Sequence, residues 1–162
     1  MLEFRCGGRR ALVISDEVLA LLDSCRQCSR NASETGGQLF ARFDRDVISI
    51  VHATGPRRRG GRRTRFSFMP SRRAEAREIQ QLFAEGLHFV GDWHTHPQAK
   101  AAPSPCDLNS MAECYRNSTH ELDAFVMVIV GTSGVPDGLW IGMHTGNQHI
   151  ELWHGNAAHS DI

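Results

Sequence analysis

Apolar positions along the chain change their period several times, and each change marks an element. Ala11 to Ile14 is an apolar run of strand length. Ser15 then reads as a helix N-cap, with Val18, Leu21 and Leu22 on one face of a helix running to about Cys28. Gln38 to Phe43 and Val47 to Ala53 are strand-like runs joined by Asp44-Arg45-Asp46, which predicts a hairpin. Ser71 opens a second helix to about Glu85, with Ala74, Ile79, Leu82 and Phe83 apolar and Gly86 as its stop. Phe89 to Thr95 reads as a strand. Ser104-Pro105-Cys106-Asp107 reads as the start of a third helix, with Ser104 at the N-cap, Pro105 at the first helical position and Asp107 in the first turn. That helix continues through Leu108, Met111, Ala112 and Tyr115 to about Arg116. Ala124 to Val130 is nearly all apolar and suits a central strand. Leu139 to His144 and His149 to Trp153 are closing strands separated by Gly146-Asn147. This order predicts an α/β (α+β) chain in which a mixed β-sheet is flanked by about three helices.

A length of 162 residues fits one domain, 1–162, large enough to bury about two-thirds of its unfolded surface. No internal repeat or low-complexity linker interrupts it, and the tail from 155 to 162 is expected to fray. No apolar stretch has the length of a signal-peptide core or a membrane span, so a cytoplasmic protein without membrane attachment is expected. Five cysteines, an odd number, argue against a disulfide framework. Cys25 and Cys28 fall late on the apolar face of the first helix and read either as buried thiols or as a redox or metal pair.

The formal net charge of zero hides an asymmetry. Arg57, Arg58, Arg59, Arg62, Arg63, Arg65, Arg72 and Arg73 hold eight of the 18 basic residues in one short segment free of acids, leaving ten against 18 acidic residues elsewhere. With Gly60 and Gly61 inside it, the segment reads either as a solvated loop or as a patch for an acidic partner or nucleic acid. Lys100 is the single lysine beside seventeen arginines.

Candidate chemistry gathers at Gly91-Asp92-Trp93-His94-Thr95-His96-Pro97. Two histidines two residues apart on a strand project to the same side and can close on one metal ion. Asp107, in the first turn of the third helix, supplies a third ligand from a fixed helix end. Two imidazoles and one carboxylate leave a coordination position open, the arrangement of catalytic rather than structural zinc sites. Cys106 stands beside Asp107, where a thiolate competes for the same metal. His52, His88, His120, His144, His149, His154 and His159 read as packed or surface residues.

His94-X-His96, seven residues, Ser104, two residues and Asp107, with Glu34-Thr35-Gly36-Gly37-Gln38-Leu39 sixty residues upstream of His94, resembles the JAMM motif of the Mov34/MPN/PAD-1 (JAB) metalloproteases. Over roughly residues 11 to 150 the chain resembles in particular the short bacterial members found with integrative elements and CBASS anti-phage operons, which cut ubiquitin-like conjugates. The resemblance implies the MPN (JAB) fold and one catalytic zinc ion on His94, His96 and Asp107. By spacing alone Glu34 is a solvated loop carboxylate. The resemblance instead makes it the general base for a zinc-activated water and makes Ser104 the donor to the oxyanion, with a pure capping role for Ser104 as the alternative.

The substrate so implied is an isopeptide or peptide bond at the C-terminus of a ubiquitin-like modifier or modified protein, with an activating and conjugating enzyme encoded nearby as a possible partner. In larger relatives the stretch corresponding to the arginine segment resembles the insertion that holds the modifier's tail. That favours a protein partner over nucleic acid and makes Arg57, Arg58, Arg59, Arg62 and Arg63 candidate substrate contacts. The alternatives are a peptidase that trims a sulfur-carrier tail and a DNA-associated JAB-domain protein binding phosphate through those arginines.

Overall fold

The computed structural model describes residues 1–6, 10–29, 32–56, 62–63, 68–69 and 72–152. Its frame is an eight-stranded sheet of β1 (Leu2–Arg5), β2 (Ala11–Ile14), β3 (Gly36–Asp44), β4 (Val47–Ala53), β7 (His88–Thr95), β8 (Phe125–Val130), β9 (Leu139–His144) and β10 (His149–Leu152), in the order β1-β2-β4-β3-β7-β8-β9-β10. Between β4 and β7, β5 (Arg62–Arg63) and β6 (Phe68–Met69) pair separately. The β2–β4 and β7–β8 pairs are parallel and the remaining ones antiparallel, so the sheet is mixed. Three helices accompany it: α1 (Asp16–Ser24), α2 (Arg72–Ala84) and α3 (Pro105–Asn117). The mixed sheet with three helices is the architecture expected from the hydrophobic pattern.

Alternation along β8 explains the layering. Val126, Val128 and Val130 join Val18, Leu19 and Leu22 of α1 in one core, while Phe125, Met127 and Ile129 join Met111 of α3 in another. Both faces are covered, so β8 is buried along its whole length and reads as a continuous apolar run. α2 packs against β7. It stops where Gly86, at φ 76°, lets its N–H donate to Phe83 O while Leu87 N–H donates to Leu82 O, the double closure that glycine permits at a helix end.

Three expectations need correction, and one strand was not anticipated. α1 ends at Ser24 and not near Cys28, and Cys28 is exposed while Cys25 is half-buried, so the pair is not two buried thiols. Phe83 is 62% exposed and is not part of a buried helix face. β3 begins two residues earlier than its apolar run, because its register with β7 pairs Gly36 with His94. β1 carries a single buried residue, Phe4, and gave no periodic signal; pairing with β2 creates it. The N-cap expected at Ser71, Arg57, Arg58 and Arg59, and the tail from 155 lie outside the described residues; Arg62 and Arg63 form β5.

Candidate metal centre

A bulge decides which side of β7 the histidines occupy. Leu39 pairs with Gly91 and Phe40 with Phe89, so Val90 is the extra residue. Before the bulge Phe89 packs on the α3 side, and Val90 enters the α1-side core; beyond it Trp93 enters that same core, although an unbroken alternation would have put Asp92, His94 and His96 there. The slip of one residue turns His94 and His96 away from that core, towards α3. Gly91 makes it possible: its φ is 147°, and a Cβ at this position would lie 1.8 Å from the Val126 carbonyl oxygen.

α3 presents Asp107 to the same space. Ser104 is its N-cap and forms a reciprocal capping box with Asp107, Pro105 following at the first position. Asp107 N–H donates to Ser104 Oγ at 3.2 Å, while Ser104 N–H and Oγ–H both donate to Asp107 Oδ2, at 2.7 and 2.6 Å. The Ser104 hydroxyl proton is therefore engaged by Asp107 in this structure. Asp107 Oδ1 lies 3.4 Å from His94 Nε2, Oδ2 lies 3.5 Å from His96 Nε2, and the two imidazole Nε2 atoms are 3.1 Å apart. Ligand atoms about 2.0–2.1 Å from a tetrahedral zinc ion stand about 3.3–3.4 Å from one another. With one ligand atom from each, the three residues lie within 4.8 Å of one another, close enough to close on one small cation, and they form the one such group of His, Cys, Asp or Glu among the described residues. Cys106 is exposed and outside it.

His96 is oriented by a bond that also sets its tautomer. The Ala102 carbonyl can only accept, so Nδ1–H donates to it at 3.1 Å and Nε2 keeps its lone pair for a metal. Burial, then the neighbouring His94, push the His96 pKa down against the pull of Asp107, favouring the neutral ring that ligation requires. Burial also raises the Asp107 carboxyl, but hydrogen bonds from His94 and Ser104 outweigh it and hold the group well below the usual carboxylate range. It is the charged ligand of the set.

Glu34 stands just ahead of β3, only 6% exposed, with Oε1 3.9 Å from His96 Nε2. It is not the solvated carboxylate that its spacing alone suggested. Burial raises its pKa to about 7, with His94 opposing and Asp107 reinforcing the rise. A buried carboxyl with a raised pKa beside a candidate metal centre is a candidate general base. Close approach fixes the glycines after it: a Cβ on Gly37 would sit 1.7 Å from the Thr54 carbonyl oxygen, which also accepts from Trp93 Nε1. Asp92, paired across the ladder with Gln38, is two residues before His94 and on the same face of β7. His120 and His144 hold loop contacts away from the centre, His120 donating to Tyr115 O and accepting from Leu122 N–H. Missed in the sequence were Thr95 and Gln27, buried residues that hold the Glu34 segment; nothing in their spacing singles them out.

Residues 19–142 match the family described as prokaryotic homologs of the JAB domain. The chain is 31% identical over 135 residues to the "CD-NTase/cGAS isopeptidase" of Enterobacter hormaechei, covering 82% of this chain and 72% of the relative. It is 28% identical over 120 residues to "Probable metalloprotease y4qB" of Sinorhizobium fredii, covering 69% of this chain and 72% of that one. A solution structure of a Desulfitobacterium hafniense protein superposes with a TM-score of 0.58 at 16% identity, covering 86% of this chain and 88% of the other. The family match spans the Glu34 segment, both histidines and Asp107, and on that breadth the chain belongs to the prokaryotic JAB family, with the MPN fold.

Proposed function

We propose that this protein is a zinc-dependent isopeptidase or peptidase that hydrolyses the bond following the C-terminus of a protein modifier. The observation that carries the reading is the spacing of His94, His96 and Asp107 beside a buried carboxyl, Glu34, with a pKa near 7. His94, His96 and Asp107 would hold the ion, and two neutral imidazoles with one carboxylate suit zinc and leave a position open. When bound, zinc polarises a carbonyl and acidifies water.

The chain's own groups do the rest. Glu34 takes the proton of the attacking water and returns it to the leaving amine. Ser104 anchors Asp107 through its N–H and hydroxyl. Its hydroxyl serves the oxyanion only if it turns away from Oδ2 during the reaction. Because β5 and β6 make a two-stranded unit outside the main sheet, an extended modifier tail can add to it by backbone pairing. Arg57, Arg58, Arg59, Arg62 and Arg63 then supply charge for an acidic tail or its carrier.

The name of the Enterobacter relative supports a CD-NTase as the protein whose C-terminus stands in the modifier's place. The test uses a CD-NTase fused at its C-terminus to a reporter protein, with purified zinc-loaded enzyme and mass spectrometry of the products. Cleavage at the junction by wild type, and none by Glu34→Gln, is the expected result. Intact fusion together with salt-dependent duplex DNA binding by the isolated protein would overturn the reading in favour of a DNA-associated role.

A further inference from the structure

Glu34 sits where the β3–β7 ladder ends. The last pair of that ladder is Gly36 with His94, and beyond it the chain carrying Glu34 has no partner strand. Two bonds nevertheless hold residue 35 against residue 95: Thr95 N–H donates to Thr35 O at 2.9 Å, and Thr35 N–H donates to Thr95 Oγ1 at 3.1 Å. The first is an ordinary main-chain bond. The second needs a hydroxyl at position 95. Thr95 is 0% exposed and Thr35 7%, so both groups are sealed from solvent, and neither donor has water as an alternative. On the other side of Glu34, the buried Gln27 amide donates to Ala32 O at 3.0 Å. The catalytic carboxyl is thus suspended between an anchor at Ala32 and an anchor at Thr35.

We infer that Thr95 is a positioning residue whose hydroxyl fixes Glu34 relative to the two histidine ligands. Thr95 lies between His94 and His96 and faces the opposite side of β7, the side of Trp93. One residue therefore ties the ligand pair and the base-bearing segment into a single unit. If its hydroxyl is removed, the Thr35 N–H is left buried without a partner, and the segment must move to satisfy it. Proton transfer tolerates displacements well below about 1 Å, so a small shift of Glu34 lowers turnover without touching the ligands or the surface that captures substrate. The Thr35 hydroxyl has no protein partner among the described residues, so the staple depends on the Thr35 main chain and the Thr95 side chain alone.

This inference rests on the general-base role given to Glu34, and its test separates the two. Thr95→Val replaces the hydroxyl by a methyl of nearly the same volume, and Thr95→Ser restores the acceptor without the methyl. With the CD-NTase fusion as substrate, Thr95→Val is expected to lower kcat about 10-fold or more, leave KM within about twofold and retain one equivalent of zinc. Hydrogen exchange of the Thr35 amide should accelerate about 10-fold or more, and Thr95→Ser should return both kcat and exchange towards wild type. Ile50→Val, in the core on β4, controls for a general loss of stability at a matched melting temperature. Unchanged Thr35 exchange overturns the inference, as does zinc loss in Thr95→Val or an equal kcat loss in the Ile50→Val control. If the wild-type enzyme leaves the fusion intact the proposed function fails, while the exchange measurement still decides the staple.

Discussion

Asp107 Oδ2 accepts two bonds from Ser104, so the carboxylate is aimed by its neighbour as much as by its own rotamer. Ser104→Ala keeps the N–H and loses the hydroxyl. It is expected to weaken zinc by about 10- to 100-fold, read by competition with a chromogenic chelator, and to cost about 1 kcal/mol of stability as a lost cap. His96→Ala goes further and should abolish stoichiometric zinc, since two protein ligands do not hold the ion tightly; full metal content in that variant would contradict the ligand set. Glu34→Gln should keep zinc and substrate binding while turnover falls by roughly 10²-fold or more, giving a variant that retains uncleaved conjugate. Its metal-free form carries a second signature. Burial lifts the Glu34 carboxyl from 4.5 to about 7, so the folded chain holds a proton that the unfolded chain releases between those values. Stability from this group is fully present below about pH 4.5 and is lost as pH rises through 7. In chelator-treated protein, Glu34→Gln should therefore gain on wild type between pH 5 and 8, by at most about 3 kcal/mol, in urea melts at each pH. A constant difference across that range would show that the carboxyl is hydrated in the metal-free state.

A single inserted residue on β7 does more for the site than any long element. Val90 and Gly91 shift the strand by one position, and without that shift the histidines would face the α1-side core. Gly91→Ala meets the Val126 carbonyl at 1.8 Å in a backbone region that disfavours a side chain. We expect a loss of roughly 2–4 kcal/mol in stability and a loss of zinc affinity in whatever fraction still folds, measured by melting and metal titration. Retained zinc at wild-type affinity would mean that the histidines reach the metal without the bulge. Helix ends behaved differently. Ser15, Ser104 and Gly86 punctuate their helices as local side-chain and φ preferences dictate, because a cap is decided within one turn of chain. The strand phase was not legible in this way, since a bulge depends on what the partner strand pairs with.

Across the molecule, charge is divided between an arginine segment and an acidic remainder. If that segment captures a modifier, replacing Arg57, Arg58, Arg59, Arg62 and Arg63 by serine should raise KM several-fold at low salt and progressively less as salt screens the attraction, with kcat unchanged. An unchanged kcat/KM at low ionic strength would reduce the segment to a solvated loop. Among the described residues no helix is long and apolar enough to cross a membrane. The sequence by itself determined the helix starts, the buried run of β8, the pair His94 and His96, and Asp107 in a helical first turn, because each follows from contacts a few residues long. The proximity of Glu34 to the histidines was legible only through the motif around it, since a carboxylate sixty residues away carries no local signal. Only the tertiary structure decided that Glu34, just ahead of β3, lies 3.9 Å from His96, and that a bulge turns His94 and His96 out of the core. It also decided that the Ser104 hydroxyl bonds Asp107 and that the Thr95 hydroxyl accepts from the Thr35 main chain. Those facts are pairings between distant segments, fixed when buried donors and acceptors must find partners across the sheet, and no local pattern encodes them.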